Sequence, residues 1–265
     1  MNTTTASPSV PRPAGSDDHP AGRGLARRRA SVVVSAATAA ALAATLTGCV
    51  TFELPGPAVY TTVEHEVSAD IHAVHLDTAG DLTITLGDTP GLVITTLDSV
   101  HPLLTVTEKS GTLVLERRGP GWNGSIEYEL IVTSLDAVSV DGSGGVIADF
   151  TTGGEVSIDL DGSGSVTARG IDADAVTVNL DGSGSIVLEG TTETVAVSLD
   201  GSGSIEAVEL IARTGTAALA GSGSIGVHAT SEMAAELEGS GSIRVAGSPR
   251  LSEDVRGSGS IAEIR

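Results

Sequence analysis

Cysteine, lysine and aromatic side chains are nearly missing from this chain: 265 residues hold one Cys, five aromatics and a single lysine, Lys109. With Cys49 alone, no internal disulfide can form. Lys109 is the only amine side chain available as a base, and Trp122 is the only tryptophan platform for a sugar ring. Basic charge is also short, with 14 Lys and Arg against 34 Asp and Glu and a formal charge of −20. Residues 1–48 hold five of the basic residues and two of the acids, so the remainder carries 9 basic and 32 acidic residues. A general nucleic-acid binder needs a basic face, which this composition excludes. Few aromatics argue against a conventional globular core, and helical periodicity is absent from the C-terminal half.

What the chain has is glycine, 34 of them, and a repeated phrase. Gly-Ser-Gly, a small residue and then Ile or Val begins at Gly142, Gly162, Gly182, Gly201, Gly221, Gly239 and Gly257, in steps of 20, 20, 19, 20, 18 and 18 residues. A period near 20 is the mark of a stacked repeat, because one such unit cannot bury a core alone. Alternate residues of a strand face opposite ways. Before the glycines, one inward column reads Val140, Leu160, Leu180, Leu199, Leu219, Leu237, Val255; after them, another reads Val146, Val166, Ile186, Ile205, Ile225, Ile243, Ile261. A glycine pair in each strand-like copy needs a cause, either positive φ at a bend or an approach too close for a Cβ. The pattern predicts two short strands per rung in an all-β solenoid, stacked in parallel at about 4.8 Å, so that seven rungs make a rod roughly 34 Å long.

The N-terminus reads as an export signal over residues 1–48. Arg27-Arg28-Arg29 flanks the uncharged stretch Ala30–Thr47, which ends in Leu46-Thr47-Gly48-Cys49. That ending resembles the lipobox of bacterial lipoproteins, and the resemblance implies a diacylglyceryl group on the Cys49 thiol. A short transmembrane helix and an ordinary buried thiol are the competing readings. The arginines leave the export route open between general secretory and twin-arginine. Residues 49–60, with Pro55 and Pro57, read as a lipid-anchored tether. Residues 61–140 read as irregular β rungs with a capping role, continuous with the regular repeats over 141–265.

The segments DLTITLGDTPGLVITT, SGTLVLERRG and IEYELIVTSLDAVSVDGSGGV, followed by serial GSGSI copies, resemble the bacterial GIN-domain family of auto-transporter adhesin heads. The likeness spans residues 65–265. It implies a single-stranded parallel β-helix, right-handed, in secreted or surface proteins, and it brings no catalytic residues with it.

Candidate sites are few. Asp141, Asp161, Asp181 and Asp200 form one column ahead of the glycines, with Ala220, Glu238 and Arg256 in later copies. Stacked carboxylates repel by roughly 0.9 kcal/mol per neighbouring pair in water, which a cation such as Ca²⁺ would relieve. Solvated turn residues also tolerate that cost, the column changes in three of seven copies, and no metal site is assigned. The serines make two hydroxyl ladders, read as small-residue packing about a tight turn; none lies in Gly-x-Ser-x-Gly. His72-x-x-His75 lacks further ligands. Arg117-Arg118 near Trp122 is the one basic and aromatic cluster, a candidate contact loop on the cap. The chain is therefore expected to be a monomeric, cofactor-free lipoprotein, held to the extracytoplasmic face of the membrane through Cys49. It is expected to bind cell-wall polymer or glycan without chemistry. An envelope-signalling accessory that binds a membrane protein is the alternative, and a polysaccharide-active enzyme trails both.

Overall fold

The computed structural model describes residues 58–119, 124–151 and 153–265. The expectations placed on the signal peptide, Cys49, most of the tether and Trp122 lie outside them. The described residues form one 17-stranded sheet wound into a solenoid. In each regular rung one wall precedes the Gly-Ser-Gly and a second wall follows it. The first wall stacks β8 (Ala137–Gly142), β10 (Glu155–Gly162) and the ends of β11 (Ser165–Gly182), β12 (Ser185–Gly201), β13 (Ser204–Gly221) and β14 (Ser224–Gly239), then β16 (Arg250–Gly257). The second wall stacks β9 (Gly145–Asp149), the starts of β11 to β14, β15 (Ser242–Ala246) and β17 (Ser260–Glu263). All these pairings are parallel, with Gly162 over Gly142 and Gly182 over Gly162.

From Ser165 to Gly239 the strands run unbroken from one Gly-Ser-Gly to the next, passing a second bend where the register slips, as between Ala168 and Ile171, and the following rung breaks between β15 and β16. Those slips absorb the drift of the repeat between 18 and 20 residues. The inward columns are buried as their alternation requires up to the last rung: Leu160, Leu180 and Leu219 are each 2% exposed, whereas Val255 is exposed and Ile261 half-buried. Each such aliphatic side chain contributes about 1.5–3 kcal/mol on burial, which exists only once a neighbouring rung covers it.

The two glycines of a corner have different jobs. The first takes positive φ in every copy, +128° at Gly201 for example, and a Cβ there would strike the carbonyl oxygen of Gly182 below. The second faces the interior: a Cβ on Gly203 would lie 2.7 Å from both the Gly184 carbonyl oxygen and Leu180 Cδ2. The corners are also laced by backbone bonds, Ser202 N donating to Gly182 O at 2.9 Å and Ser204 N to Gly184 O at 3.0 Å.

The N-terminal third departs from simple continuation. Rungs do begin before the motif, with β2 (Ala73–Asp77) and β3 (Asp81–Leu86) as one pair and β6 (Thr112–Arg117) and β7 (Glu127–Val132) as another. Their spatial order is reversed relative to the chain. β2 lies between β6 and β8, and β3 between β7 and β9, so the earlier rung is inserted above the later one. Below them the pairing turns antiparallel. β5 (Leu104–Lys109) forms a hairpin with β6, β4 (Gly91–Leu97) runs against β7, and β1 (Tyr60–Glu66) runs against β4. A 3₁₀ turn, His101–Leu103, joins β4 to β5, with Val100 buried just before it. Antiparallel strands cap this end by covering the edges of β6 and β7, and they leave β1 and β5 outermost, each with one free edge.

Candidate functional surface

The aspartates that the repeat singles out stand in register on the outward face of the first wall, Asp141 beside Asp161, Asp181 and Asp200. All four are exposed. The structure lengthens this column in a way the chain order hides. Asp77 follows Leu76, which pairs with Val140, so it lies beneath Asp141, and Glu116 pairs directly with Asp77. Six carboxylates thus occupy one edge. His75 Nε2 sits 3.4 Å from Asp141 Oδ2, and His72 Nδ1 sits 3.5 Å from Asp136 Oδ2, so both histidines serve the seam between the inserted β2 and β8. They do not converge on a shared ligand. Among the described residues no group of three or more His, Cys, Asp or Glu could hold a metal ion.

The serines make the two ladders expected of them. The corner serines are exposed, and the next outward column is joined in one place by a 3.1 Å hydrogen bond between the hydroxyls of Ser204 and Ser224. No acid or histidine bonds to these hydroxyls among the described residues, so nothing activates them as nucleophiles. On the same wall Arg244 Nη2 reaches Glu206 Oε2 at 2.6 Å across an intervening rung. That span exists because the residue between them is Gly226, where a Cβ would lie 2.5 Å from Glu206 Oε1.

Arg117 and Arg118 part company. Arg117 has the parity of the buried Leu113 and Leu115 and is half-buried, pointing toward the interior, whereas Arg118 is exposed. Close by, Tyr128 fills the corner beneath Gly80, where a Cβ would come within 2.8 Å of Tyr128 Cε2. Its ring is 2% exposed, and burial pushes its phenol up to about 12. The Thr78 hydroxyl and the charge of Arg117 soften that rise, yet neither Tyr128 OH nor Thr78 Oγ1 has a well-formed hydrogen bond. The basic cluster proposed from the sequence thus splits into an inward residue near Tyr128 and an outward one. The alternation Leu113, Leu115, Arg117 carries that parity in the sequence; that Tyr128 lies close by depends on strand neighbours that alternation does not report.

What these features define is a β-solenoid with open, repetitive faces and no convergent catalytic constellation among its described residues. The family described as "Putative auto-transporter adhesin, head GIN domain" matches residues 70–249, and the chain belongs to that family. Solved structures agree. A "putative adhesin" from Bacteroides fragilis is 28% identical, with a TM-score of 0.74 over 78% of this chain and 97% of that one. A "putative lipid binding protein" from Parabacteroides distasonis (24% identity, TM-score 0.61, 78% of this chain and 97% of that one) and a "putative adhesin" from Parabacteroides merdae (21%, 0.63, 78% and 96%) share the fold. No curated protein matches the chain.

Proposed function

We propose that the protein is a cell-surface adhesion rod, anchored by a lipid on Cys49 at the extracytoplasmic face of the membrane, whose outward face holds an extended glycan or cell-wall polymer without chemistry. Membership in an adhesin-head family supports the surface role. The observation that carries the binding mode is the shape of the first wall. On the same outward face, separated from the aspartate column by the column of Asp159, Asn179, Ser198, Ala218, Glu236 and Asp254, runs a column of Ser157, Thr177, Ala196, Thr216, Ala234 and Ser252, repeated at each rung. A small molecule needs a concave site that surrounds it. A long polymer can make one weak contact per rung, and many such contacts sum through multivalency.

The test uses residues 50–265, which contain every core residue of the solenoid. This soluble chain is passed over the producing organism's purified cell wall and, separately, its solubilised membrane proteins. Retention on wall polymer, competed by soluble glycan and weakened by Thr177→Arg and Thr216→Arg, is the expected result. Capture of one membrane protein with no wall retention would replace this reading with a signalling one.

A further inference from the structure

The exposed apolar residues of this acidic rod are unevenly placed. Ten large hydrophobics are well exposed among the described residues, and four of them, Val59, Tyr60, Val63 and Leu103, belong to the capped N-terminal end. The remaining six are spread over the walls and the far end. Val59 at 57% and Tyr60 at 51% are the two most exposed of the ten, and Leu103, at 40%, lies at the same end. Three bonds hold these residues together at one end. Asp98 N donates to Val59 O at 2.9 Å, His101 Nε2 lies 2.9 Å from Thr61 O, and Arg118 N donates to Leu103 O at 2.9 Å. One exposed cation stands at this corner: Arg118, held against Leu103 by that bond, whereas Arg117 turns inward and Lys109 lies at the far turn of the β5–β6 hairpin.

We propose that this capped end is a foot that rests on the lipid surface. Val59, Tyr60 and Leu103 would sit at headgroup depth and Arg118 among the phosphates, so that the repeats project away from the bilayer. The inference rests on the lipid anchor proposed above. Cys49 lies ten residues before Val59, so the covalent link reaches at most about 35 Å, and it enters the solenoid through β1 at this end. A tyrosine with an apolar ring and a polar tip suits the interface between water and lipid. The outermost strand also suits headgroup depth rather than the hydrocarbon. The free edge of β1 carries backbone donors and acceptors that must be satisfied, which headgroups and their water can do and acyl chains cannot. Glu64 and Glu66, toward the other end of β1, and Asp98 beside Val59 stay at the aqueous side. They fix the contact on the Tyr60–Leu103 corner and favour a zwitterionic surface over a strongly anionic one.

The experiment places an environment-sensitive fluorophore, one site at a time, at Tyr60→Cys, Leu103→Cys and Ser240→Cys in residues 50–265, which have no other cysteine. Each labelled chain is tethered through an N-terminal His tag to nickel-chelating lipid in phosphatidylcholine vesicles. Labels at 60 and 103 are expected to shift to the blue and lose accessibility to iodide on tethering, while the label at 240 does not change. No shift at 60 and 103 overturns the foot. A shift at 240 as well overturns it in favour of a rod lying flat. Protection at 60 and 103 before vesicles are added assigns the patch to the tether segment or to a second copy and also overturns it. The anchor is tested separately by fractionating cells that make the full chain or its Cys49→Ala variant. Loss of the anchor reading and loss of the foot are therefore distinguishable.

Discussion

Alanine at Gly201 and alanine at Gly203 should both damage the protein, by different routes. Gly201 has φ of +128° and a Cβ there collides with a carbonyl oxygen of the rung below. Neither the strain nor the clash can be relieved without moving a hydrogen-bonded corner, so Gly201→Ala is expected to cost at least about 3 kcal/mol. Gly203→Ala meets the Leu180 side chain as well as a carbonyl. Leu180 can give way, the carbonyl contact is less severe than at Gly201, and φ at Gly203 is not positive, so a loss of about 2 kcal/mol is expected. Gly226→Ala meets only side chains, the flexible end of Glu206 and, at 3.0 Å, Val208 Cγ2; it should cost no more than about 1 kcal/mol, since both can shift and the ion pair it disturbs is partly exposed. Urea denaturation of the three variants checks the ranking, and a Gly226→Ala loss as large as that of Gly201→Ala would contradict it. Tyr128 gives the pH counterpart. Its folded pKa, about 12, lies above the ordinary value of 10, so the folded protein holds the phenol proton more tightly than the unfolded chain does. That contribution is complete below pH 10 and is lost as pH rises through 12, up to about 2–3 kcal/mol. Tyr128→Phe should be within about 1 kcal/mol of the parent at pH 7 and should lose less stability than the parent between pH 10 and 12.

Elements inherit unequal protection from this arrangement. β12 and β13 have neighbours on both sides along their whole length, whereas β1 and β16 each have one. Native-state hydrogen exchange should therefore show amides of Val195–Leu199 and Ala217–Leu219 opening with the global free energy, and those of β1 and β16 opening far sooner. In β16 the inward position after Leu251 is Glu253, and Val255 is 42% exposed where its column mates are buried; slow exchange there would point to a partner on that edge. The regular rungs were legible in the sequence because alternation and period both act within about 20 residues, and Leu180 or Ile186 reports its own orientation. The glycine pair was legible as a demand for either positive φ or close approach. It was not legible which glycine met which demand, since that depends on the rung beneath. The insertion of β2–β3 between β6–β7 and β8–β9 was not legible at all: alternation in Val74 and Leu76 says which way they face and nothing about which strand lies alongside. The column therefore stopped at Asp141 in sequence, while Asp77 and Glu116 waited in segments that precede it.

For the whole molecule that column sets a sign that can be measured. Along one edge run Glu116, Asp77, Asp141, Asp161, Asp181 and Asp200, all but Glu116 exposed. Neighbours at about 4.8 Å repel by roughly 0.9 kcal/mol in water, and His75 offsets part of this only at Asp141. Folding gathers these charges, and unfolding spreads them. Salt should therefore stabilise the rod, because at about 0.15 M the screening length is already near 8 Å and shortens further with concentration. Asp181→Asn removes two neighbour repulsions at once and should raise stability by up to about 1 kcal/mol at low salt, with the gain shrinking as salt is added. Asp200→Asn, whose next neighbour is Ala220, removes one and should gain about half as much. Divalent cations separate simple screening from a true site. Ca²⁺ needs six to eight oxygen ligands, and carboxylates strung one per rung present two neighbours at a time. Millimolar Ca²⁺ should then move the thermal midpoint no further than Mg²⁺ at the same ionic strength. A Ca²⁺-specific rise that Asp161→Asn and Asp181→Asn abolish would show that the column coordinates a cation, and the wall facing the polymer would have to be redrawn as a metal-loaded edge.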